Sequence, residues 1–170
     1  MSVAKLPNDP NWPRANSLLT FSKTDLAIIG VPASATALSP TSAHLTPAAI
    51  REALAKYSTY AGSTDTELQT SGITDLGDVA SPDHADGEVR VAQAMRGLLD
   101  THKILLALGG DNSITYAVGL GVFGEDLATA GLITLDAHHD LRDGISNGSP
   151  VRRLIEAGLD PTRIVQIGIN

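Results

Sequence analysis

The sequence predicts an α/β fold in which helices cover both faces of a parallel sheet. Short apolar runs alternate along the chain with amphipathic patterns typical of helices. Hydrophobic residues make up 42% of the chain and aromatic residues only 4%, so small aliphatic side chains dominate the core and let helices pack closely on a sheet. A length of 170 residues suits one domain with a buried core.

The chain begins with an arm, residues 1–24, that is predicted to be irregular because Pro7, Pro10 and Pro13 interrupt regular structure. Residues 25–170 are predicted to form a single α/β domain. Its strands are predicted at the short apolar runs, residues 25–30, 72–78, 104–108, 131–135 and 164–169.

The helices are predicted from their first residues or from their apolar spacing. Thr46 followed by a proline is typical of a helix start, and this helix is expected over residues 46–57. Asp86 precedes a segment whose apolar residues recur at helical spacing. Two further helices are expected, one capped by Ser113 and one beginning at Pro150.

The last predicted strand, residues 164–169, has no covering crossover after it. A strand inside a parallel sheet is normally buried on both faces and followed by such a crossover. We therefore expect the front part of a longer fold, incomplete at its C-terminus, with a terminal edge strand as the alternative. An exposed last strand also favours pairing between copies, so a homo-oligomer is expected.

The composition excludes several classes of function. A net charge of −7 argues against nucleic acid and against an anionic membrane surface as partners, because both require basic patches. The absence of cysteine excludes disulfides, thiolate zinc sites and cysteine nucleophiles, and it fits a reducing compartment. With no apolar run of membrane-spanning length and no secretory h-region in the sequence, a cytoplasmic location is expected.

The residues most indicative of chemistry follow the predicted strand 131–135. Asp136, His138 and Asp140 lie at alternate positions, so an extended backbone would direct all three side chains to one face. Carboxylates with imidazole suit manganese, iron or zinc, and carboxylate-rich sites favour manganese or magnesium. Because a straight strand would spread them over about 13 Å, a pair of ions fits better than one. The alternative is a set of caps and turns.

Two further clusters carry polar side chains. After the predicted strand 104–108, Asp111 is suited to orienting a metal ligand, and Asn112 offers a weak amide-oxygen ligand. An ordinary strand–turn–helix junction explains these residues equally well. His139 points away from the predicted metal face and is expected to support it from behind. Arg142 and Asn147 lie in a loop that is either a plain turn or a substrate loop, and Arg142 is suited to binding a carboxylate.

These clusters, in this order, resemble the ureohydrolase family of arginase, agmatinase and formimidoylglutamase. Residues 108–111 look like the start of its GGDHS motif, and residues 136–140 match its DAHxD motif. Residues 30–32 and 46–51 look like its early segment. Residues 147–152 look most like the substrate loop of formimidoylglutamase-type members.

The resemblance implies an arginase-like three-layer sandwich and two manganese ions that share a hydroxide, which attacks a guanidine or formimino carbon. By the same resemblance Asp136 bridges both ions, His138 binds one and Asp140 binds the other. The expected substrate is a small amidine or guanidine compound: formimidoylglutamate, agmatine or an arginine-like molecule.

The sequence departs from the family pattern in two places. Asn112 stands where the family has a metal-binding histidine, and the later SxDxDxxDP motif, which supplies two more metal carboxylates, is missing. We therefore expect a partial or empty manganese site and little activity from this chain alone. The alternative reading is a non-catalytic half-domain that acts as an assembly or regulatory subunit. A nucleotide-binding domain is a weaker alternative, because no phosphate-binding glycine loop is present.

Overall fold

The computed structural model describes residues 11–68 and 72–170. The first ten residues, with Pro7 and Pro10 of the predicted arm, lie outside the described part. Eight strands are present in the described residues: β1 (Leu19–Thr20), β2 (Leu26–Val31), β3 (Tyr60–Ala61), β4 (Thr66–Glu67), β5 (Ile73–Asp78), β6 (Ile104–Gly109), β7 (Leu132–Leu135) and β8 (Ile164–Ile167). The α-helices there are α1 (Thr46–Leu54), α2 (Gly87–Met95), α3 (Ile114–Phe123) and α4 (Pro150–Glu156).

The main sheet is parallel, with strand order β1-β5-β2-β6. Within it, β2 pairs with the edge strand β6 without interruption, from Leu26 opposite Ile104 to Val31 opposite Gly109. A second parallel sheet contains β7 and β8, and β3 and β4 form a separate small hairpin. The α/β class and the parallel sheet are thus confirmed, although in the described residues the parallel strands are divided between two sheets.

Helices pack on both faces of β2 in the main sheet. On one face Ile29 and Val31 of β2 pack with Val91 and Met95 of α2 and with the first turns of α3. On the other face α1 lies so close that a side chain on Gly30 would meet Pro47 at 3.0 Å and the carboxylate of Asp78. Because neighbouring strand residues face opposite sides, β2 is covered on both.

Helix α3 joins the two sheets. A Cβ atom on Gly121 would lie 2.4 Å from the carbonyl oxygen of Ala92 in α2, and one on Gly119 would lie 2.9 Å from Leu154 in α4. The glycines therefore let α3 approach a helix on each side. Under the second sheet, Leu154 belongs to a separate apolar cluster with Leu127.

Ion pairs hold one helix to the main sheet and one helix to another. Arg51 of α1 donates to both carboxylate oxygens of Asp75, at 2.8 and 2.9 Å, and to Asp78 at 2.6 Å. Arg153 of α4 donates to both oxygens of Glu88 in α2, at 2.6 and 2.7 Å, so these fork-shaped pairs fix the positions of α1 and α4.

The structure differs from the predicted boundaries in ways that local chemistry explains. The described part of the arm contains a 3-10 turn, Ala15–Leu18, and strand β1, which pairs with β5. Helix α2 ends at Met95 because Gly97 adopts a φ of 73°, a left-handed conformation that ends a helix.

In residues 11–68 and 72–170 no helix is both long and apolar enough to cross a bilayer.

Candidate metal centre

A cavity of about 790 Å³ opens where β6 and β7 end. Ligand sites of parallel α/β sheets lie at this end of the strands, as the sequence predicted. Fourteen residues line it: Leu38, Ser39, Pro40, Thr41, Asp111, Asn112, Asp136, His138, His139, Asp140, Leu141, Arg142, Asn147 and Gly148. This one space is therefore bordered by the eight residues predicted to bind the metal, support its ligands or bind substrate: Asp111, Asn112, Asp136, His138, His139, Asp140, Arg142 and Asn147.

The segment after β7 is a turn, and the extended backbone predicted there is wrong. β7 ends at Leu135. One carboxylate oxygen of Asp136 accepts the backbone N–H of His138 at 2.8 Å and lies 3.1 Å from Nδ1 of the same histidine. A short side chain that bonds to the backbone two residues on is typical of an Asx turn, and such bonds compete with strand structure. The turn, not strand alternation, directs these side chains into the cavity.

Asp140 is the most enclosed of the predicted ligands. Its residue is 6% exposed, its φ is 55°, and its Oδ2 accepts a hydrogen bond of 2.5 Å from the side-chain amide of Asn112. Burial raises the pKa of the Asp140 carboxyl above its ordinary value, and the negative charge of Asp136 raises it further, against the opposing effect of the Asn112 amide. A cation between the two carboxylates would relieve both penalties.

The turn after β6 holds Asp111 and Asn112 in different ways. Oδ1 of Asp111 accepts the backbone N–H of Ser113 at 3.0 Å and its hydroxyl at 2.5 Å, so Asp111 stabilises the start of α3. The predicted cap by Ser113 is wrong, because its hydroxyl donates to Asp111 and makes no cap bond to the helix. Oδ2 of Asp111 is buried and has no hydrogen-bond partner within the described part of the chain.

His139 is tied to the second sheet. Its Nδ1 lies 2.7 Å from Oε1 of Gln166 in β8, and the amide of Gln166 donates to the His139 carbonyl at 3.0 Å. These two contacts anchor the turn to β8. The arrangement agrees with a supporting role for His139 beside the predicted ligands, which remains a prediction.

The loop after β2 forms a wall of the cavity that sequence reasoning missed. Asn147 fastens this wall, because its side-chain oxygen accepts the N–H of Leu38 at 3.2 Å and its own N–H donates to the Thr36 carbonyl at 3.2 Å. Arg142 borders the same space, and its aliphatic carbons pack 3.0 Å from where a side chain on Gly148 would lie. The sequence could have indicated this wall, because the loop follows a predicted parallel strand and ligand sites form at the ends of such strands.

The donor types fit a manganese ion, but the donors do not form a closed cage. Carboxylates and imidazole are the ligands that manganese accepts, and the unpartnered oxygen of Asp111 and the crowded carboxylates of Asp136 and Asp140 favour a cation nearby. Among residues 11–68 and 72–170, no three His, Asp or Glu side chains are already grouped to hold a metal. The predicted ligands share a cavity, yet two of them are bonded to neighbours instead, Asp136 to His138 and Asp140 to Asn112.

Comparisons with known proteins identify relatives along nearly the whole chain. The model of the arginase family matches residues 24–170. Formimidoylglutamase of Halalkalibacterium halodurans is 37% identical over 152 residues, which are 84% of this chain and 47% of the relative. Human mitochondrial guanidino acid hydrolase is 34% identical over 86% of this chain and 44% of its own length. The chain thus spans about half the length of the curated relatives that it matches.

Solved structures give the same fold. The crystal structure of formimidoylglutamase from Bacillus subtilis matches with a TM-score of 0.81 and 28% identity, over 98% of this chain and 56% of that one. Formiminoglutamase of Trypanosoma cruzi, solved with Mn²⁺, matches with a TM-score of 0.80 at 24% identity, over 94% of this chain and 58% of that one. The matched residues include all of the cavity, and the chain belongs to the arginase family.

Proposed function

We propose that the chain is part of a manganese-dependent hydrolase that cleaves a C–N bond of a linear amidine or guanidine. The observation that carries the proposal is one cavity at the strand ends that is bordered by Asp111, Asp136, His138 and Asp140. Support comes from relatives in the arginase family that are named formimidoylglutamase, agmatinase and guanidino acid hydrolase.

Asp136, His138 and Asp140 would hold the metal, with Asn112 as a weak ligand. Asp111 and His139 would keep the two turns in place, because each is bonded to the backbone or side chain of a neighbouring element. Manganese is favoured over zinc because the set contains more carboxylates than imidazoles. The formiminoglutamase solved with Mn²⁺ supports the same choice.

The bound metal would supply hydroxide near neutral pH, by lowering the pKa of water. The chain's own contribution is to position the substrate. Among the described residues that line the cavity, Arg142 is the only lysine or arginine, so it is suited to receive a substrate carboxylate in a fork of two hydrogen bonds. Asn147 would keep the cavity wall at Leu38 in place.

Formimidoylglutamate is the substrate that we propose, since it offers a carboxylate to Arg142 next to a formimino group. Calorimetric titration of the chain with formimidoylglutamate and with agmatine, at saturating Mn²⁺, tests this choice. In Arg142→Gln we expect formimidoylglutamate to bind about tenfold to a hundredfold more weakly, and agmatine, which has no carboxylate, to bind unchanged. Arg163→Gln, outside the cavity, is the matched control. Equal losses for both ligands would contradict the role of Arg142.

The isolated chain is expected to be a poor enzyme. Two carboxylates and one imidazole are too few ligands for a pair of roughly octahedral ions. We expect manganese affinity weaker than about micromolar and no measurable release of formamide or urea from formimidoylglutamate, agmatine or arginine. Micromolar affinity together with turnover by the isolated chain would contradict this expectation, and turnover that releases only urea would exclude formimidoylglutamate as the substrate.

The bond between Asn112 and Asp140 favours a second candidate function. It occupies a carboxylate oxygen that a metal would need, which suits a non-catalytic half-domain acting as an assembly or regulatory subunit. Calorimetry separates the two. An absence of Mn²⁺ binding, even after the C-terminal half of a formimidoylglutamase has been added, would favour the subunit over the enzyme.

Two further features belong to the proposal. Among the described strands β8 pairs only with β7, so its outer edge is free. This edge would allow a homo-oligomer to form by strand pairing, and light scattering measures the mass of the oligomer.

The cysteine-free composition supports a reducing location such as the cytoplasm, and fractionation of cells tests this.

A further inference from the structure

Arg152 of α4 contacts the backbone that links the predicted metal ligand Asp140 to Arg142. We propose that Arg152 is a positioning residue for substrate: it fixes the backbone of Arg142 and so the place where the Arg142 guanidinium receives a carboxylate. Arg152 is not among the described residues that line the cavity, so it acts through Arg142. This inference rests on the proposed function, in which Arg142 binds the substrate carboxylate.

The Arg142 side chain is not held by polar contacts of its own. Within residues 11–68 and 72–170, no hydrogen bond or ion pair joins its guanidinium to another side chain or carbonyl. Its aliphatic stem lies along Gly148, because Cδ of Arg142 would be 3.0 Å from a Cβ atom at that position. The guanidinium is therefore free to take up a ligand, and its location depends on the backbone that carries it.

Arg152 holds this backbone at three points. Its Nε donates to the Arg142 carbonyl and its Nη2 to the Gly144 carbonyl, both at 2.6 Å. Its own backbone N–H donates to the Asp140 carbonyl at 3.2 Å. Nη1 donates to Glu156, one turn further along α4, at 2.5 Å, which fixes the plane of the guanidinium. A planar fork of donors holds two carbonyls at a set spacing, which a lysine cannot do.

The far end of the same loop is closed by other bonds. The N–H of Arg142 donates to the Gly148 carbonyl at 3.0 Å. The hydroxyl of Ser149, a fully buried residue, accepts the N–H of Ser146 at 3.0 Å and donates to the Ser146 carbonyl at 2.9 Å. Loss of the Arg152 guanidinium should therefore loosen the backbone near Arg142 while the rest of the loop keeps its fold.

These contacts join the metal side of the cavity to its substrate side. Asp140 is buried and is predicted to bind the ion, and Arg142 is proposed to bind the carboxylate. Because the backbones of both residues are bonded to Arg152, the distance between the ion and the carboxylate is set by one residue of α4. Such preorganisation favours ligands whose reacting group and carboxylate match this distance.

The test measures ligand binding to the full 170-residue chain by calorimetry at saturating Mn²⁺. In Arg152→Gln we expect formimidoylglutamate to bind about tenfold more weakly, while agmatine and Mn²⁺ bind as they do to the parent chain. Arg152→Lys keeps the charge but cannot span both carbonyls, so it should lose less affinity than Arg152→Gln.

Arg90→Gln is the matched control. Arg90 also donates to two backbone carbonyls, those of Ala80 and Ser81, and to a carboxylate four residues away, that of Asp86. It is not among the described residues that line the cavity. This variant loses the same kinds of contact as Arg152→Gln, and it should bind formimidoylglutamate as the parent chain does.

A double-mutant cycle separates positioning from a general loss of stability. If Arg152 acts through Arg142, the variant that carries both Arg142→Gln and Arg152→Gln should bind formimidoylglutamate no more weakly than Arg142→Gln alone. Losses that add, an affinity of Arg152→Gln equal to that of the parent chain, or an equal loss in Arg90→Gln would each overturn the proposal.

Hydrogen exchange distinguishes failure of this inference from failure of the proposed function. Without metal or ligand, the backbone amide of Arg142 should exchange at least about tenfold faster in Arg152→Gln than in the parent chain. Unchanged exchange, together with the expected loss of affinity in Arg142→Gln, overturns the inference alone. If Arg142→Gln binds formimidoylglutamate as the parent chain does, the proposed substrate role of Arg142 fails, and the positioning role of Arg152 fails with it.

Discussion

Replacing Asn112 by histidine should raise the affinity of the chain for Mn²⁺ by about tenfold to a hundredfold. In the structure the Asn112 amide donates to Oδ2 of Asp140 at 2.5 Å, and a hydrogen bond to a charged group is worth about 1.5–3 kcal/mol. A metal that binds Asp140 through this oxygen must displace that bond. Since 1.4 kcal/mol corresponds to a factor of about ten, removal of the competing bond accounts for the lower end of the range. The added imidazole, a stronger ligand than an amide oxygen, supplies the remainder.

The assay is calorimetric titration of metal-free chain with MnCl₂, and Asn112→Ala is the matched control. Alanine removes the competing hydrogen bond without adding a ligand. The ratio of the Mn²⁺ affinities of the two variants therefore measures the contribution of the imidazole. We expect histidine to exceed alanine by about tenfold. Alanine should also lower the free energy of unfolding in the absence of metal by about 1–3 kcal/mol, because the buried Asp140 loses its partner.

Two results would refute the reasoning. If the histidine variant binds Mn²⁺ no more tightly than the alanine variant, position 112 does not face the metal. If both variants bind as the parent chain does, the bond to Asp140 does not compete with the ion. Either result would remove Asn112 from the set of predicted ligands.

Two further predictions concern the framework around the cavity. Gly110→Ala should lower the free energy of unfolding, measured by urea titration, by about 1–3 kcal/mol or more, because its Cβ would lie 1.8 Å from the Ala33 carbonyl oxygen. Gly62→Ala is the control and should have little effect, since its nearest neighbour would be 3.7 Å away. Equal urea midpoints for the two variants would contradict the close packing at Gly110. Asp75→Asn should destabilise the chain near neutral pH and much less in acid. The Arg51 guanidinium lowers the pKa of Asp75 below its ordinary 3.8. The stabilisation by this ion pair is therefore present above pH 3.8 and is lost as the pH falls through the folded-state pKa of Asp75. Unfolding midpoints at about pH 6 and about pH 3 measure the difference, and a pH-independent loss would contradict the ion pair.

The sequence predicted the main strands well, because a short apolar run with a glycine at one end leaves few alternatives. The predicted strand at residues 104–108 is observed as Ile104–Gly109, and that at residues 131–135 as Leu132–Leu135. The division of these strands between two sheets was not predictable. An apolar run shows which residues favour burial, but it does not show whether a second layer covers them. Ile133 and Leu135 belong to such a run and are nevertheless exposed.

The composition of the candidate site was also predictable, while its geometry was not. Asp136, His138 and Asp140 border one cavity with Asp111 and Arg142. The turn that brings the first three together depends on a hydrogen bond that the Asp136 carboxylate accepts from the backbone N–H of His138, which residue spacing alone does not reveal. The loop wall after β2 depends on a contact between Asn147 and Leu38, which are 109 positions apart in the chain.

The two glycines of α3 differ in how strictly they fix the packing of the helices. At Gly121 a methyl group would lie 2.4 Å from the Ala92 carbonyl oxygen, so the spacing of α3 and α2 is set by backbone contact and a larger residue there requires the helices to shift. At Gly119 the nearest atom is the end of the Leu154 side chain, at 2.9 Å, which can adjust. The loops that border the cavity are the part that is free to vary: Leu38 and Gly148 line it, and a side chain on Gly148 would lie 3.3 Å from Leu38, whereas the spacing of α2 and α3 beneath the main sheet stays constant.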